Sequence, residues 1–248
     1  MNKQLKDIIT FMTSFGQEVK SKIGLPSERI INLRKKLAIE ELNETITAIR
    51  LYSDFLEKVK ANKDINGKKI TLDDYAENYK EIFDGIIDQI VILAGTANAY
   101  GATNDDEHFS YFWDEALNVH FNNTNNIKFT FPNLLDNNRI NEILEGIKYN
   151  ILSLNEYSVL AYTSKEDLDI SYIKKNLNIT LINILSLANS CGIEDRILFE
   201  KIWDEIQSSN MSKLDNNGKP IYREDGKILK SESYFKPNIK KILLEYIK

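Results

Sequence analysis

A chain of 248 residues that is 42% hydrophobic holds enough apolar mass for a packed core in one large or two small domains, and its net charge is −5. One cysteine, Cys191, excludes an intramolecular disulfide and a thiolate metal cage, while two histidines, His108 and His120, argue against a histidine-rich metal site or a Ser-His-Asp triad. No run of eighteen apolar residues and no signal-peptide pattern is visible, so the expected setting is cytoplasmic, with no membrane partner.

Residues 3 to 14 read as a short amphipathic helix carrying Leu5, Ile8, Ile9 and Met12, broken at Phe15-Gly16. Pro26 followed by Ser27 as N-cap, with Glu28 in the first turn, opens a long helix that runs to about Val59. At about 100° per residue, Ala38, Ile39, Leu42, Ile46 and Ile49 share one side of it, and Glu40, Glu41 and Glu44 share the other. Leu33, Leu37, Ala48 and Leu51 continue the acidic side above and below, so the carboxylates stand inside an apolar stripe rather than on a solvated face. Crowded carboxylates among apolar residues lose hydration and repel one another. A divalent cation relieves both effects.

Residues 62 to 74 form a polar connector centred on Asn66-Gly67, compatible with a small hairpin. The next helix, ending near Gly101, carries Glu81, Asp84 and Asp88 at i, i+3 and i+7, on one face, and is nearly all apolar after Asp88. Beyond it the chain resembles itself at a spacing of about ninety residues. Ala97 to Gly101 and Phe112 to Leu117 are answered by Ala188 to Gly192 and Ile202 to Gln207, with an Asn-rich seam at 122 to 138. In the second copy, 139 to 162 answers the first acidic helix and 169 to 190 the second, but Lys175 and Ile179 stand where Asp84 and Asp88 would be. The expectation is an all-α helical bundle made of a catalytic half (1–125), a degenerate half (126–210) and a basic segment (211–248) read as a loop or hairpin before a short final helix. That last segment has nine Lys and Arg against five acids, a surplus of four that leaves the rest of the chain at −9. An acidic body with a basic tail argues against a nucleic-acid partner and suits a compact anion held between the two.

The run E-E-L-N-E (Glu40 to Glu44) followed by E-x-x-D (Glu81 to Asp84) resembles the signature of the all-α nucleoside triphosphate pyrophosphohydrolases, which include the MazG-like enzymes, phosphoribosyl-ATP pyrophosphohydrolase and the dimeric dUTPases. Trp203 to Pro237, with S-N-M-S-K and G-K-I-L-K, is similar to the C-terminal block of the phosphoribosyl-ATP pyrophosphohydrolase-like branch common in phages and bacteria. The resemblance implies Mg²⁺, or Mn²⁺ in its place, and hydrolysis of a nucleoside triphosphate to the monophosphate and pyrophosphate. It implies Glu41, Glu44, Asp84 and Asp88 as metal ligands, with Glu81 as the alternative to Asp88, and Glu40 beside Glu41 as the group that orients or deprotonates water. It also implies Asn210, Lys213, Arg223, Lys227 and Lys230 at the phosphates, and Gln17 and Asn98 at the base. A salt-bridged helix pair using Arg34, Lys35 or Arg50 is disfavoured, because those bases are not on the acidic face. The protein is expected to be a monomeric pseudo-dimer or a homodimer. The competing reading is a non-catalytic helical protein that binds a nucleotide or a partner through the same grooves.

Overall fold

The protein was described from a computed structural model covering residues 2–61, 69–105, 107–122, 129–164, 168–224 and 226–247. Most of the connector around Asn66-Gly67 and the first part of the Asn-rich seam lie outside these residues. Among the described residues the protein is all-α, with nine helices: α1 (Lys3–Ser14), α2 (Glu28–Lys60), α3 (Leu72–Tyr100), α4 (Ala102–Asp105), α5 (Glu107–Asn122), α6 (Asn137–Ser164), α7 (Ile170–Ser190), α8 (Arg196–Met211) and α9 (Ile239–Ile247).

Local chemistry sets the ends of these helices. The Ser27 hydroxyl accepts from the Ile30 amide, and Thr71 and Asp74 form a reciprocal capping box at the start of α3. Helix α3 stops at Gly101, where φ is 77° and where a Cβ would fall 2.1 Å from the Lys22 carbonyl oxygen, so only glycine fits. Helix α7 is capped at Cys191, and Gly192 just beyond it turns the chain with φ 80°.

Two long pairs, α2 with α3 and α6 with α7, pack on each other through α2 against α6 and α3 against α7, and α1, α8 and α9 also lean on α3. That central position explains the composition of α3. It is long and apolar enough to cross a membrane, and 83% of its most apolar window is buried inside the protein. Helices α5 and α8 each carry a ring pair: Phe109 and Trp113 on α5 have centroids 6.1 Å apart, Phe199 and Trp203 on α8 have centroids 6.2 Å apart, and both tryptophans are fully buried.

Two close approaches fix the register of α2 against α3. A Cβ on Gly85 would fall 2.6 Å from the Thr45 hydroxyl and 3.2 Å from its Cα, and one on Gly95 would fall 2.5 Å from Nη1 of Arg34. Antiparallel helices locked at those two points bring Glu41 level with Asp88. Gly85→Ala is therefore expected to cost about 1–3 kcal/mol by overpacking, seen as a fall of several degrees in the thermal midpoint. Gly146→Ala, whose Cβ would meet only the end of Asn183 at 3.2 Å, should be nearly neutral and serves as the control.

After α8, the tail turns at Gly218 and again in a tight hairpin around Gly226, where the Arg223 amide donates to the Lys227 carbonyl at 2.8 Å and the Leu229 amide to Ile221 at 2.8 Å. This hairpin lies over α2, with Gly226 against Arg29 and Leu33.

Candidate active site

The hairpin, the end of α8, α1 and the α2–α3 pair enclose a cavity of about 120 Å³. Glu41 and Asp88 form part of its wall, together with Asn210, Lys213, Lys227 and Gln17. Ile8, Phe11 and Met12 from α1, Leu37 from α2 and Val91 and Ile92 from α3 supply the apolar remainder.

Burial and mutual repulsion give the acids unusual affinities for protons. Burial pushes the Glu41 carboxyl up to about 7, and Glu44 and Glu40 add to this while Lys227 and Lys213 oppose it. Burial likewise raises Asp84 to about 6, with Glu81 and Glu44 reinforcing the effect and Lys236 and Lys213 countering it. Asp88 lies well above the usual carboxylate range, because burial is compounded by Asp84 and Glu41. The Lys213 ammonium, whose Nζ donates to Asn210 at 2.6 Å, is lowered by burial, and Asp88 and Glu41 pull it back up. One enclosed lysine thus faces three acids that disfavour each other's charge.

The other expected residues fall around this centre. Glu40 is bonded by Lys227 at the rim. Glu81 lies outside the cavity and accepts from Lys236 at 3.2 Å, whereas Asp88 lines it. Glu44 is exposed, yet near enough to raise Glu41, Asp84 and Asp88. Arg223 holds the hairpin through its backbone, and Lys230 stacks 4.6 Å above the ring of Tyr234; neither lines the cavity. Asn98, expected at a base, is buried at the far end of α3. Its carbonyl oxygens accept from Thr103 at 2.5 Å and from the Lys20 amide at 3.1 Å, so it ties down the segment after α1 and lines no part of the cavity.

Two expectations about α2 are corrected. The apolar frame does not extend past Ala48, since Leu51 is 59% exposed. Arg34 does not lie off the acidic side: it is 9% exposed and lines the same cavity as Glu41. Seven residues amount to two turns less about 20°, so the spacing from Arg34 to Glu41 carried this signal, hidden by the neighbouring Lys35 and Lys36.

Comparison with known proteins found no matching family model, no similar curated protein and no similar solved structure. Among the described residues no three acids, histidines or cysteines are already arranged around a single metal position. The donors nonetheless fit a hard divalent cation. Oxygen ligands suit Mg²⁺, and a cation between these acids would favour the charged forms that burial and their mutual repulsion oppose even with Lys213, Lys227 and Lys236 nearby.

Proposed function

We propose that this chain is a Mg²⁺-dependent nucleoside triphosphate pyrophosphohydrolase of the MazG-like, all-α type. The observation that carries the reading is the enclosed meeting of Glu41 and Asp88 with Lys213, in a cavity whose other wall is apolar. Such a site has one end for charge and one end for a ring.

Glu41, Asp84 and Asp88 would hold the ion, with Glu44 close by. A divalent ion bound there would neutralise triphosphate charge and favour ionisation of water. The chain's own part is then positional and acid–base. Lys213 and Lys227 hold phosphate oxygens as point charges on mobile stems. Glu40, at the rim, takes the proton from the water whose oxygen bonds to the α-phosphorus, while the bond from that phosphorus to the bridging oxygen breaks and releases pyrophosphate. Ile8, Phe11, Val91 and Ile92 keep water from the nucleoside end.

The architecture also supports an origin by duplication, in which α6–α7–α8 answers α2–α3–α5. The paired Phe-x-x-x-Trp contacts and the left-handed Gly101 and Gly192 stops are its best support. In that reading one chain builds the bundle for which a single helix pair would need a second copy.

The test is a panel of canonical and modified nucleoside triphosphates with Mg²⁺, followed by chromatography. Monophosphate and pyrophosphate in equal amounts are the expected products. Orthophosphate release, or no turnover of any member, would remove the assignment. One observation favours the non-catalytic alternative: Lys227 and Lys236 already occupy Glu40 and Glu81. Tight binding of the panel without turnover would establish that alternative instead.

A further inference from the structure

Arg34 is the most unusual charge in the molecule. Its side chain is buried, and its hydrogen bonds go to the Gln17 side-chain oxygen Oε1 at 3.1 Å and, weakly, to the Met12 sulfur at 3.7 Å. Nε has no partner. A guanidinium has five donors and no acceptor, and a buried cation without a counter-charge is costly to keep. Burial indeed pulls Arg34 down to about 10, and no carboxylate opposes that pull. Behind it lies a second cavity of about 40 Å³, shared with Gln89, Asn155 and Asn176, which is room enough for water to hydrate its rear face. Its front faces the cavity that holds Glu41 and Asp88.

The position along the cavity says what the front is for. Arg34 precedes Glu41 by seven residues, about 10.5 Å along the helix, which is close to the length of a nucleoside. Gly95 stands the same distance beyond Asp88. The wall between is apolar, formed by Ile8, Phe11, Leu37 and Ile92. The enclosed and paired lysines lie toward the other end: Lys213 among the carboxylates and Lys236 on Glu81, seven residues before Asp88. Phosphates directed toward the lysines leave the base at Arg34.

We infer that Arg34, oriented by Gln17 and admitted by the missing side chain of Gly95, reads the carbonyl edge of an oxo-bearing nucleobase. This rests on the pyrophosphohydrolase reading and adds to it a specificity-determining residue and a substrate class. A donor-only fork accepts a 4-oxopyrimidine or a 6-oxopurine. It rejects the 4-amino and 6-amino counterparts, whose N–H groups would meet its own. Sites built around hydrogen bonding discriminate more strongly than apolar ones.

The test uses two pairs that differ in that group and in the proton on the ring nitrogen beside it, dUTP against dCTP and dITP against dATP, on the full chain. Hydrolysis is followed with Mg²⁺, and binding of the non-hydrolysable α,β-imido analogues by calorimetry. The oxo member should be preferred at least about tenfold in kcat/KM and in affinity. Arg34→Met, which fills the site without charge, should bring both ratios near one by raising KM for the oxo members and leaving kcat nearly unchanged. Gln17→Leu, which releases the guanidinium from its anchor, should lower the ratios in part and keeps the inference testable if Arg34→Met does not fold. Turnover without oxo preference, or ratios unchanged in both variants, overturns the role of Arg34 and leaves the pyrophosphohydrolase standing. Oxo-selective binding without turnover, lost in the variants, supports the role of Arg34 and removes the catalytic reading. Neither turnover nor binding overturns both.

Discussion

Glu41→Gln and Asp88→Asn are each expected to cut pyrophosphate release by about 10²–10³-fold or more, the scale of losing one preorganised electrostatic partner, while the fold becomes slightly more stable. The two effects have one cause. Both carboxyls sit where burial and neighbouring acids oppose their ionisation, so a neutral amide of the same shape removes a strain that the metal-free protein carries at neutral pH. The gain should be on the order of 1–3 kcal/mol, or several degrees in thermal midpoint for a chain of this size. Helical circular dichroism through a melt, set beside a product assay, reads both. Wild-type turnover in both variants would sink the site assignment, and a loss of stability in both would mean that the carboxylates are held by bonds rather than merely enclosed.

The second large effect is a linkage between pH and metal. The Glu41 carboxyl moves from an ordinary 4.5 to about 7 on folding, so across that window the native state binds more protons than the unfolded chain. Its contribution to stability is complete below about 4.5 and is lost as pH rises through about 7. Asp84, raised to about 6, and Asp88, raised further, act with the same sign. In EDTA the thermal midpoint should therefore fall between about pH 5 and pH 8. Millimolar Mg²⁺ should restore it, more at the upper end, where the ligands are free of protons. A midpoint that stays flat across that range in EDTA, or one that Mg²⁺ does not move at the upper end, would contradict this account.

Much of the helical architecture could be read in the sequence because it depends on signals within a few residues: Ser27 as a cap, the break at Phe15-Gly16, and apolar periods of 3.6. The acids of α2 and α3 were also legible, since i, i+3 and i+7 spacing fixes a face without knowledge of a partner. Arg34 was less so. It stands in R-K-K, and although its seven-residue spacing from Glu41 sets it on the acidic side, the hole at Gly95 that admits its guanidinium lies on another helix. Asn98 misled for the converse reason: nearly three turns beyond Asp88 places a residue along a helix but does not tell whether its oxygens are already taken, here the side-chain one by Thr103 and the backbone one by the Lys20 amide. Leu51 shows the same blindness, because an apolar stripe drawn on one helix does not reveal where its companion helix stops covering it.

The cavity draws one wall from Ile8 and Phe11 near one end of the chain and another from Gly226 to Ile228 near the other. Trp203 ties α1 to α8, the helix that precedes the hairpin, by donating from Nε1 to Asp7 at 2.9 Å. Both long helix pairs can thus form while the pocket still stands open to water, and it closes only when the hairpin around Gly226 folds down over α2. Opening the hairpin alone, with α8 and α9 kept in place against α3, would let water reach Glu41 and relax the burial that raises its carboxyl.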